Sequence, residues 1–431
     1  HRSRRLRAAS GHADACRFRV AETITATVWL WTRRVGVVAE EPNGRISFQY
    51  DPDFVRNGWE ISPIHLQRIK VGEGPISFPE LSRVEAFAGL PGVFADALPD
   101  RFGNAIIRKY FTDKGRPNDA LSPVQRLLYV GSRALGALEF KPAVRRPSSA
   151  AEQLPLDLSQ LVNEARSVMQ GQIDVVLPEI MRVGASAGGA RAKAVVLWDR
   201  DANTLRSDFA KPVPGEEHWI IKFDGIGVDG TPDQSPKPFN RIEYVYMQLA
   251  KMAGIETPPT RLFEERGYAH LMSKRFDRVD ASRLHLHSLG GLQHVDFNTP
   301  GSYSYEGLVR TVLTLGMPYG ALEEAYRRAV FNIAFVNQDD HVKNISFLLS
   351  RDGEWRLSPA YDVTFAKGGG YTRMHQMSVN NKVDDIGRED LLALGKFAGL
   401  PKDGVDILDG VLAVRTRWLA DALAAGVSEP D

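Results

Sequence analysis

The sequence is poor in three features that would each have narrowed its function. A single cysteine, Cys16, occurs among 431 residues, which excludes an intramolecular disulfide framework and a cysteine-rich zinc site. Basic residues (54) nearly equal acidic residues (53), so no bulk charge indicates binding to nucleic acid or to a membrane. The longest apolar runs, such as ITATVWLW, are far shorter than the ~20 residues of a membrane helix. We therefore expect a globular cytoplasmic protein with no membrane partner.

The one local excess of charge is the first segment, HRSRRLR. No apolar stretch of the kind found in signal peptides follows it. A nucleic-acid or targeting arm is an alternative, but we expect residues 1–21 to form a disordered basic tail.

Residues 22–144 have the pattern of a small α/β domain. The alternation in Ile24–Trp31 and two β-rich runs around a Pro-Asn-Gly turn predict a three-stranded antiparallel meander. Helical patterns follow in NAIIRKYF and PVQRLLYVG, before a short apolar segment, GALEF. The polar, proline-bounded stretch Arg145–Pro155 is typical of a linker and predicts a domain boundary.

The second part of the chain is β-rich first and helical afterwards. Residues 156–276 contain a helix (LSQLVNEARSVMQG), a glycine-rich loop, and strands in AKAVVLW, HWIIKF and AHLMSKRF around a helix that follows Asn240. Residues 277–428 have an almost entirely helical pattern. The expected fold class is α+β, with a two-lobed domain preceded by the small α/β domain.

The polar segment NQDDHVKN lies between two apolar runs, FNIAFV and ISFLL, which predict a helix and a strand. Asp339 and Asn344 are five positions apart, and Asp362 follows 18 residues later. Kinase-type phosphotransferases use such a set: an aspartate beside the accepting hydroxyl, and an asparagine and a second aspartate that hold magnesium. Magnesium prefers oxygen ligands, and substrate phosphates complete its shell, so two protein ligands suffice.

Each of these residues also has a structural alternative. Asp339 could cap a helix or a turn, Asn344 could be a turn residue, and Asp362 could form an Asx turn. Together, at this spacing, these alternatives explain the pattern less well than a catalytic set. We interpret Asp340 as a solvated neighbour. His341 could be a metal ligand or a general base, but a lone histidine more often orients the backbone by hydrogen bonding.

The segment VGASAGGARAK, residues 183–193, is a candidate phosphate-binding loop. Its glycines let the backbone fold closely around a phosphate and present N–H donors. It is not a Walker A loop, because three residues separate Gly189 from Lys193, and a plain glycine-rich turn is the alternative. Ser186 is either a small flexible residue or a phosphorylatable switch, since added negative charge would disrupt a loop that binds phosphates.

Lys222, in WIIKFD, has apolar neighbours beside which an unpaired ammonium group would be costly. A kinase supplies the missing partners, namely the α- and β-phosphates and a helix glutamate, for which Glu243 is the candidate. Asn240 followed by Glu243 equally fits a capping box, in which the glutamate reaches back to the helix N-cap. Lys343 could be a surface lysine or a phosphate contact.

With these motifs in this order, the sequence resembles the HipA family of bacterial serine/threonine protein kinases, the toxins of type II toxin-antitoxin modules. The resemblance covers Thr23 to Val427 and implies a protein-kinase-like two-lobed domain, preceded by a HipA-type N-terminal domain, with ATP and Mg²⁺ as cofactors. N-x-D-x-H-x-K-N and L-x-P-x-Y-D carry it most specifically. Further support comes from SFQYD, FADALPDRFGN, GALEF, GASAGGARAK, IIKFD, NRIEYVYMQLAKMAGI, SKRFDR, SYSYE and HQMSVNNK.

The resemblance implies a role for each matching residue. Asp339 would be the catalytic aspartate, Asn344 and Asp362 the magnesium ligands, and Lys222 a phosphate contact. Ser186 matches a loop serine whose autophosphorylation ejects the loop and stops activity. The other ATP-site residues would be Gly188, Gly189, Ala190, Arg191, Ala192 and Lys193 in the loop, Lys274, Arg275 and Phe276 at the hinge beside adenine, and His341, Val342, Lys343 and Tyr361.

The resemblance also implies partners: a protein substrate, and a HipB-like helix-turn-helix antitoxin through which alone the chain would contact DNA. Some family members act on aminoacyl-tRNA synthetases, but nothing in this sequence identifies the substrate. A non-catalytic co-repressor scaffold is an alternative that leaves the filled catalytic positions without a purpose. A metal-dependent hydrolase using Asp339, His341 and Asp362 leaves Lys222 unexplained. A lipid kinase shares D-x-H-x-x-N, but no basic amphipathic face marks a membrane-binding surface.

Overall fold

The computed structural model of the chain describes residues 22–69, 74–99, 101–113, 121–143, 154–170, 191–226, 238–279 and 282–428. The expected basic tail, residues 1–21, and most of the expected linker, Arg145–Pro155, lie outside these ranges, so the domain boundaries stay a prediction. In the described ranges, no helix is long and apolar enough to cross a membrane.

The predicted three-stranded meander is present at the start of the described chain. A fourth strand, the predicted GALEF segment, pairs with the first, so the antiparallel sheet has the order β3-β2-β1-β4. The strands are β1 (Ile24–Leu30), β2 (Arg33–Glu40), β3 (Ile46–Tyr50) and β4 (Leu138–Lys141). The accompanying helices are α1 (Pro52–Asn57), α2 (Gly92–Ala95), α3 (Arg101–Asp113) and α4 (Pro123–Val130), with a 3₁₀ turn at Pro79–Arg83.

The next part of the described chain is a five-stranded antiparallel sheet, as the β-rich first lobe requires. Its order is β6-β5-β7-β9-β8, and its register places Lys193 opposite Lys222 on neighbouring strands. The strands are β5 (Lys193–Asp199), β6 (Thr204–Ser207), β7 (Glu216–Lys222), β8 (Thr260–Glu265) and β9 (Tyr268–Lys274). Helix α5 (Leu158–Met169) comes before the sheet, and α6 (Phe239–Met252) lies between β7 and β8 in sequence.

The last part is mainly helical, but the expectation of almost pure helix is wrong. A three-stranded antiparallel sheet is also present. Its central strand is the ISFLL segment that was predicted as a strand, and its two outer strands have only four and three residues, which are too few for their period to be recognised. The strands are β10 (Arg278–Val279), β11 (Ser282–Arg283), β12 (His285–Ser288), β13 (Tyr303–Ser304), β14 (Ser346–Leu349), β15 (Trp355–Leu357) and β16 (Met377–Ser378). The three-stranded sheet has the order β12-β14-β15.

The helices of this lobe surround its own apolar core, to which α6 also contributes. They are α7 (Leu289–Gln293), α8 (Tyr305–Thr314), α9 (Tyr319–Ala334), α10 (Arg388–Phe397), α11 (Val405–Val414) and α12 (Trp418–Ala424). Short 3₁₀ turns occur at Val342–Asn344, Tyr371–Arg373, Pro401–Gly404 and Arg415–Arg417.

The core of the first sheet is completed from the other end of the chain. Leu349 of β14 is buried within the cluster formed by β1–β4 and α4, and Trp355 of β15 packs against the same cluster. The indole nitrogen of Trp59 donates to the Arg351 carbonyl oxygen at 2.7 Å, between these two strands. The N-terminal domain therefore packs directly on the strand that follows NQDDHVKN.

Candidate active site

The segment NQDDHVKN connects α9 to β14, as the apolar runs on either side predict. The chain reverses at Val336, whose φ of 57° lies in the left-handed region that β-branched residues rarely adopt. The Gln338 amide then donates to the Ala366 carbonyl oxygen at 2.9 Å, and the Ala366 amide donates to the Val336 carbonyl oxygen at 3.1 Å. Such a conformation costs about 1–3 kcal/mol and typically occurs at functional sites.

Asp340 is buried, and its interpretation as a solvated neighbour is wrong. Its carboxylate accepts hydrogen bonds from the Tyr305 hydroxyl at 2.8 Å, the Gln376 backbone amide at 2.7 Å and His375 Nδ1 at 3.0 Å. The side chain has no solvent-exposed surface. Asp340 therefore joins the polar segment to α8 and to the strand β16 region, and it faces away from solvent because it has these partners.

Lys222 is the centre of a buried charge group. Its ammonium group contacts the carboxylates of both Glu243 and Asp362. Burial alone would lower the pKa of Lys222, but the two carboxylates outweigh it and raise that pKa. Burial acts to raise the pKa of Asp362, but Lys222 and then Lys193 outweigh it and lower that pKa to about 2. Lys222 and Asp362 are therefore both charged at neutral pH.

The capping-box alternative for Glu243 is wrong. Helix α6 begins at Phe239, with Pro238 at the N-cap position, so Asn240 lies inside the helix. The Asn240 amide nitrogen donates to the carbonyl oxygens of Lys222 at 3.2 Å and Ala269 at 3.1 Å. Glu243 is left free to pair with Lys222, and the structure brings the predicted lysine and helix glutamate together.

Asp339 lies beside Asn344, and its side chain keeps 41% of its surface exposed. Asn344 Nδ2 donates to the Asp339 carbonyl oxygen at 2.9 Å, which fixes the two residues in one turn. Burial, then the negative charges of Asp362 and Asp340, raise the pKa of the Asp339 carboxyl to about 7. A pocket next to Asp339 is lined by Asn344, Asp362, Asp340 and His341, among other residues.

His341 packs beside this pocket as a neutral ring. Burial lowers its pKa to about 4, and its Nε2 lies 3.8 Å from Asp339 Oδ1. The ring centroid is 5.2 Å from that of Phe297, and Lys343 Nζ lies 5.4 Å from the same Phe297 ring. Val342 between them is buried. The four residues His341 to Asn344 therefore face different surroundings, and of these four His341 and Asn344 line the pocket that also contains Asp362.

The residues present fit a magnesium ion. Asn344 and Asp362 line one pocket, both can supply oxygen ligands, and Asp362 is ionised. The repulsion that raises the Asp339 pKa indicates excess negative charge, which a divalent cation would balance. Within the ranges that the structure describes, no three His, Cys, Asp or Glu residues form a closed metal cluster. Magnesium held by two protein ligands and phosphates requires none.

The predicted hinge residues are adjacent to this site but differ in what their side chains do. The Arg275 side chain is buried in ion pairs with Asp208 at 2.7 Å and Asp277 at 2.8 Å, so its guanidinium is not available to adenine. Lys274 Nζ lies 2.5 Å from a Glu217 carboxylate oxygen, at a half-buried position.

Aromatic rings connect the hinge to the Asp362 segment. The Phe276 ring lies 5.7 Å from the Tyr361 ring. The Tyr361 hydroxyl donates to the Lys343 carbonyl oxygen at 2.8 Å. Tyr361 therefore joins the hinge, the Asp362 segment and the end of NQDDHVKN.

Only the end of the predicted phosphate loop is described. Ser186, Gly188, Gly189 and Ala190 lie outside the described residues. The Arg191 guanidinium lies over the Phe239 ring at 4.6 Å and donates to Asn240 Oδ1 at 3.3 Å. The Ala192 carbonyl oxygen accepts from the Phe223 amide at 3.0 Å, and Lys193 is buried next in the strand. The loop therefore ends beside Lys222.

Known protein families and solved structures are similar to this chain over most of its length. The model of the HipA N-terminal domain matches residues 26–141, and the model of the HipA-like C-terminal domain matches residues 185–418, more than half of the chain. The chain belongs to the HipA family. Of the solved structures, HipA in the Shewanella oneidensis MR-1 complex of HipA, HipB and operator DNA matches with a TM-score of 0.64 and 17% identity. That match covers 94% of this chain and 92% of the other. The HipA fold, with its two kinase-like lobes, is therefore the fold of this chain.

A curated relative of this HipA-family chain is "Putative kinase Y4dM" of Sinorhizobium fredii (strain NBRC 101917 / NGR234), which is 25% identical over 298 residues. The aligned region is 64% of this chain and 62% of that protein, so it spans less than two thirds of the relative.

Two parts of the HipA site were not identified as functional from the sequence. The partners of Asp340, namely Tyr305, His375 and Gln376, lie in SYSYE and HQMSVNNK, which were noticed only as segments of the resemblance. Asp96, in FADALPDRFGN, bonds to the start of α7. The sequence signal that could have identified these residues was the presence of polar residues inside otherwise apolar segments.

Proposed function

We propose that this HipA-family protein is an ATP- and Mg²⁺-dependent serine/threonine protein kinase that acts as the toxin of a type II toxin-antitoxin module. The observation that carries the proposal is the contact of Lys222 with both Glu243 and Asp362. Asn344 lines the same pocket as Asp362, and Asp339 is hydrogen-bonded to Asn344 and interacts electrostatically with Asp362. A lysine held by a helix glutamate, next to a metal-binding pair and a separate carboxylate, is the set that phosphoryl transfer uses.

Asp339 acts on the substrate hydroxyl in this proposal. As the hydroxyl oxygen attacks the γ-phosphorus and the bond to ADP breaks, the carboxylate takes the hydroxyl proton. A pKa of about 7 suits a base that works at neutral pH, and a positioned general base contributes ~10²–10⁴ in rate. His341, neutral and packed against Phe297, limits the space around Asp339.

Lys222 supplies a fixed positive charge for the phosphates. Because its pKa is raised, it stays protonated throughout the physiological range. Asn344 and Asp362 hold Mg²⁺, which when bound neutralises charge on the β- and γ-phosphates. The hinge contributes backbone atoms and the Phe276 ring to the adenine site, since the Arg275 side chain is occupied by Asp208 and Asp277.

Regulation and partners are proposed from the family likeness. Ser186 is the autophosphorylated loop residue, and the loop from Gly188 to Lys193 covers the phosphates. A HipB-like helix-turn-helix antitoxin binds the protein and carries it to DNA, as in the solved complex that this chain resembles. The substrate is a protein of the cytoplasm, of which aminoacyl-tRNA synthetases are one class.

The test is transfer of labelled phosphate from Mg²⁺-ATP to protein, either to the chain itself or to dephosphorylated casein. We expect transfer by the wild type and by Asp409→Ala, which alters only an exposed ion pair with Arg388. Asp339→Ala and Asp362→Ala should each lower transfer about 10²-fold or more. Wild-type levels in both variants would contradict the proposal. A non-catalytic co-repressor scaffold predicts no transfer by any of the four proteins.

A further inference from the structure

The N-terminal domain bonds directly to the turn between β12 and α7. Asp96 follows helix α2, and its carboxylate accepts hydrogen bonds from His287 Nδ1 at 2.7 Å, the Ser288 amide at 2.7 Å and the Ser288 hydroxyl at 2.6 Å. Ser288 is the N-cap of α7, where its hydroxyl also accepts from the Gly291 amide at 3.0 Å. Asp96 therefore fixes the backbone on both sides of the cap.

Ser62 extends this set into a chain of three residues. Its hydroxyl lies 3.0 Å from His287 Nε2, so Ser62, His287 and Asp96 have the connectivity of a serine hydrolase triad. Ser62 is only 1% exposed and His287 is 0% exposed, so no substrate can reach the hydroxyl. The three residues therefore serve to hold the two parts of the chain together.

Close backbone contacts support the same attachment. A Cβ atom on Gly92 would lie 1.9 Å from the Gly291 carbonyl oxygen, and a Cβ on Gly291 would lie 2.3 Å from Asp96 Oδ2. The Gly92 amide donates to His294 Nε2 at 3.1 Å. Only glycine fits at these two positions, because any side chain would separate α2 from α7.

The turn that Asp96 holds, Ser288–Gly291, also packs against the end of NQDDHVKN and the residue that follows it. The Leu289 amide donates to the Ile345 carbonyl oxygen at 2.8 Å, one residue beyond Asn344. A Cβ on Gly290 would lie 2.9 Å from Val342 Cγ2. Ser288 also pairs with Ser346 in the β12–β14 ladder. A shift of the turn would therefore move both neighbours of Lys343 and Asn344.

We infer that Asp96 of the N-terminal domain is a positioning residue for the kinase, which holds Asn344 and Asp339 in their catalytic geometry through the Ser288–Gly291 turn. The activity part of this inference rests on the proposed kinase function. Asp96 touches neither substrate nor metal, and it acts by way of Ser288, Leu289 and Val342. The N-terminal domain is thus part of the catalytic unit.

The experiment compares hydrogen exchange in residues 342–345 with the kinetics of phosphate transfer. Asp96→Ala should raise exchange of these amides about tenfold and lower kcat about tenfold, with KM for ATP within about twofold of wild type. Asp96→Asn keeps an oxygen that accepts from the Ser288 amide, so its effects should be smaller. Gly92→Ala disturbs the same attachment from the opposite side and should resemble Asp96→Ala.

Val28→Ala is the matched control, because it creates a cavity in the buried centre of β1 without touching the turn. It should lower Tm while leaving exchange in residues 342–345 and kcat within about twofold of wild type. If Asp96→Ala does not fold, Asp96→Asn and Gly92→Ala will show whether the attachment at Asp96 positions residues 342–345.

The positioning role of Asp96 and the proposed kinase function would be contradicted by different results. Unchanged exchange and kcat in the folded Asp96 and Gly92 variants would overturn the positioning role. The positioning role would also be overturned if Val28→Ala changed the exchange of residues 342–345 and kcat as much as the Asp96 and Gly92 variants do. If wild type transferred no phosphate, the proposed function would fail, and the exchange data alone would still decide whether Asp96 holds residues 342–345.

Discussion

The Tyr305 hydroxyl donates to Asp340 Oδ2 at 2.8 Å and accepts from Asn332 Nδ2 at 2.9 Å. Tyr305 begins α8 and Asn332 lies near the end of α9, so one buried hydroxyl connects two helices to the segment NQDDHVKN. Burial, then the charge of Asp340, raises the pKa of Tyr305 well above its ordinary value, so the hydroxyl keeps its proton and remains a donor.

Tyr305→Phe should destabilise the protein and reduce phosphate transfer. The change leaves buried Asp340 one donor short, which costs about 1–3 kcal/mol of the free energy of unfolding. Because Asp340 adjoins Asp339, we expect kcat to fall several-fold as well. Urea denaturation and steady-state kinetics measure the two effects.

Tyr326→Phe is the control for this change. Among the described residues, the buried Tyr326 hydroxyl has no hydrogen-bond partner, so its removal should leave both quantities nearly unchanged. Equal losses in the Tyr305 and Tyr326 variants would show that the bond to Asp340 has no special role.

Lys222→Met should abolish activity and also lower Tm. The variant leaves Glu243 and Asp362 close together without the cation between them, and breaking one partner of a buried pair costs about 3–5 kcal/mol. Transfer of phosphate should fall about 10²-fold or more, because the variant lacks the ammonium group whose positive charge stabilises the phosphates. Lys402→Met removes an exposed lysine that pairs with Asp406, and it should change neither Tm nor transfer. A fully active Lys222→Met enzyme would rule out the assigned role.

Asp277→Ala should be among the most destabilising changes at the hinge. The carboxylate pairs with Arg275 and Arg278 and accepts from the Gly136 amide of the N-terminal domain at 2.7 Å. Removing it leaves two buried guanidinium groups short of a partner, at a cost of about 3–5 kcal/mol. Asp409→Ala at an exposed ion pair is the comparison, and equal Tm values in the two variants would contradict this account.

Two histidines, the buried His285 and the half-buried His294, should make the protein less stable in acid. Burial, then the charge of His287, lowers the pKa of His285 to about 4, and burial, then His65 and His287, lowers that of His294 to about 3. In the unfolded chain both titrate near 6.5. Below that pH the unfolded state binds more protons, so the free energy of unfolding decreases by up to about 1.4 kcal/mol per pH unit for each group. The loss continues until the pH reaches the folded-state pKa.

Comparison with His294→Asn isolates one of these protons. Asparagine tolerates the left-handed backbone at this position and does not titrate. Its side chain is too short to replace His294 Nε2 as the acceptor for the Gly92 amide, so the variant should lose stability at every pH, which does not affect the slope. The slope of unfolding free energy against pH, measured between pH 6 and 4.5, should be smaller by about one proton in the variant. Other groups, including Asp339, titrate alike in both proteins and cancel. Identical slopes would show that His294 is protonated in the folded state.

Much of the fold follows from local patterns in the sequence. The alternation in β1 and the apolar runs in β5, β7 and β9 predicted the two larger sheets, since each of these four strands has seven residues. The predicted strands were confirmed. The four-residue strands β4 and β14 were predicted from their apolar runs, whereas the four-residue strands β6 and β12 were missed. The six-residue strand β8, TRLFEE, was also missed, because its apolar and polar residues do not alternate. The helix of Glu243 was predicted one or two residues short, because Asn240 was taken as its cap.

Only those site residues that belong to recognisable sequence motifs could be predicted. The pairing of Lys222 with Glu243 was predicted because a kinase supplies such a lysine with a helix glutamate, although a capping box explained Glu243 equally well. The burial of Asp340 could not be predicted, because its partners lie 35 and 36 residues away in sequence. Its surroundings depend on the packing of α8 and the β16 region, which no local pattern contains.

The apolar core of the first sheet has a consequence for how the chain is made. Leu349 and Trp355 complete that core, yet they emerge from the ribosome more than 200 residues after β4. A nascent chain that ends before β14 therefore exposes part of the apolar core formed by β1–β4, and contacts across such sequence distances form slowly. The N-terminal part can reach its final stability only once the catalytic segment has been synthesised. A truncated translation product should thus be both inactive and prone to proteolysis.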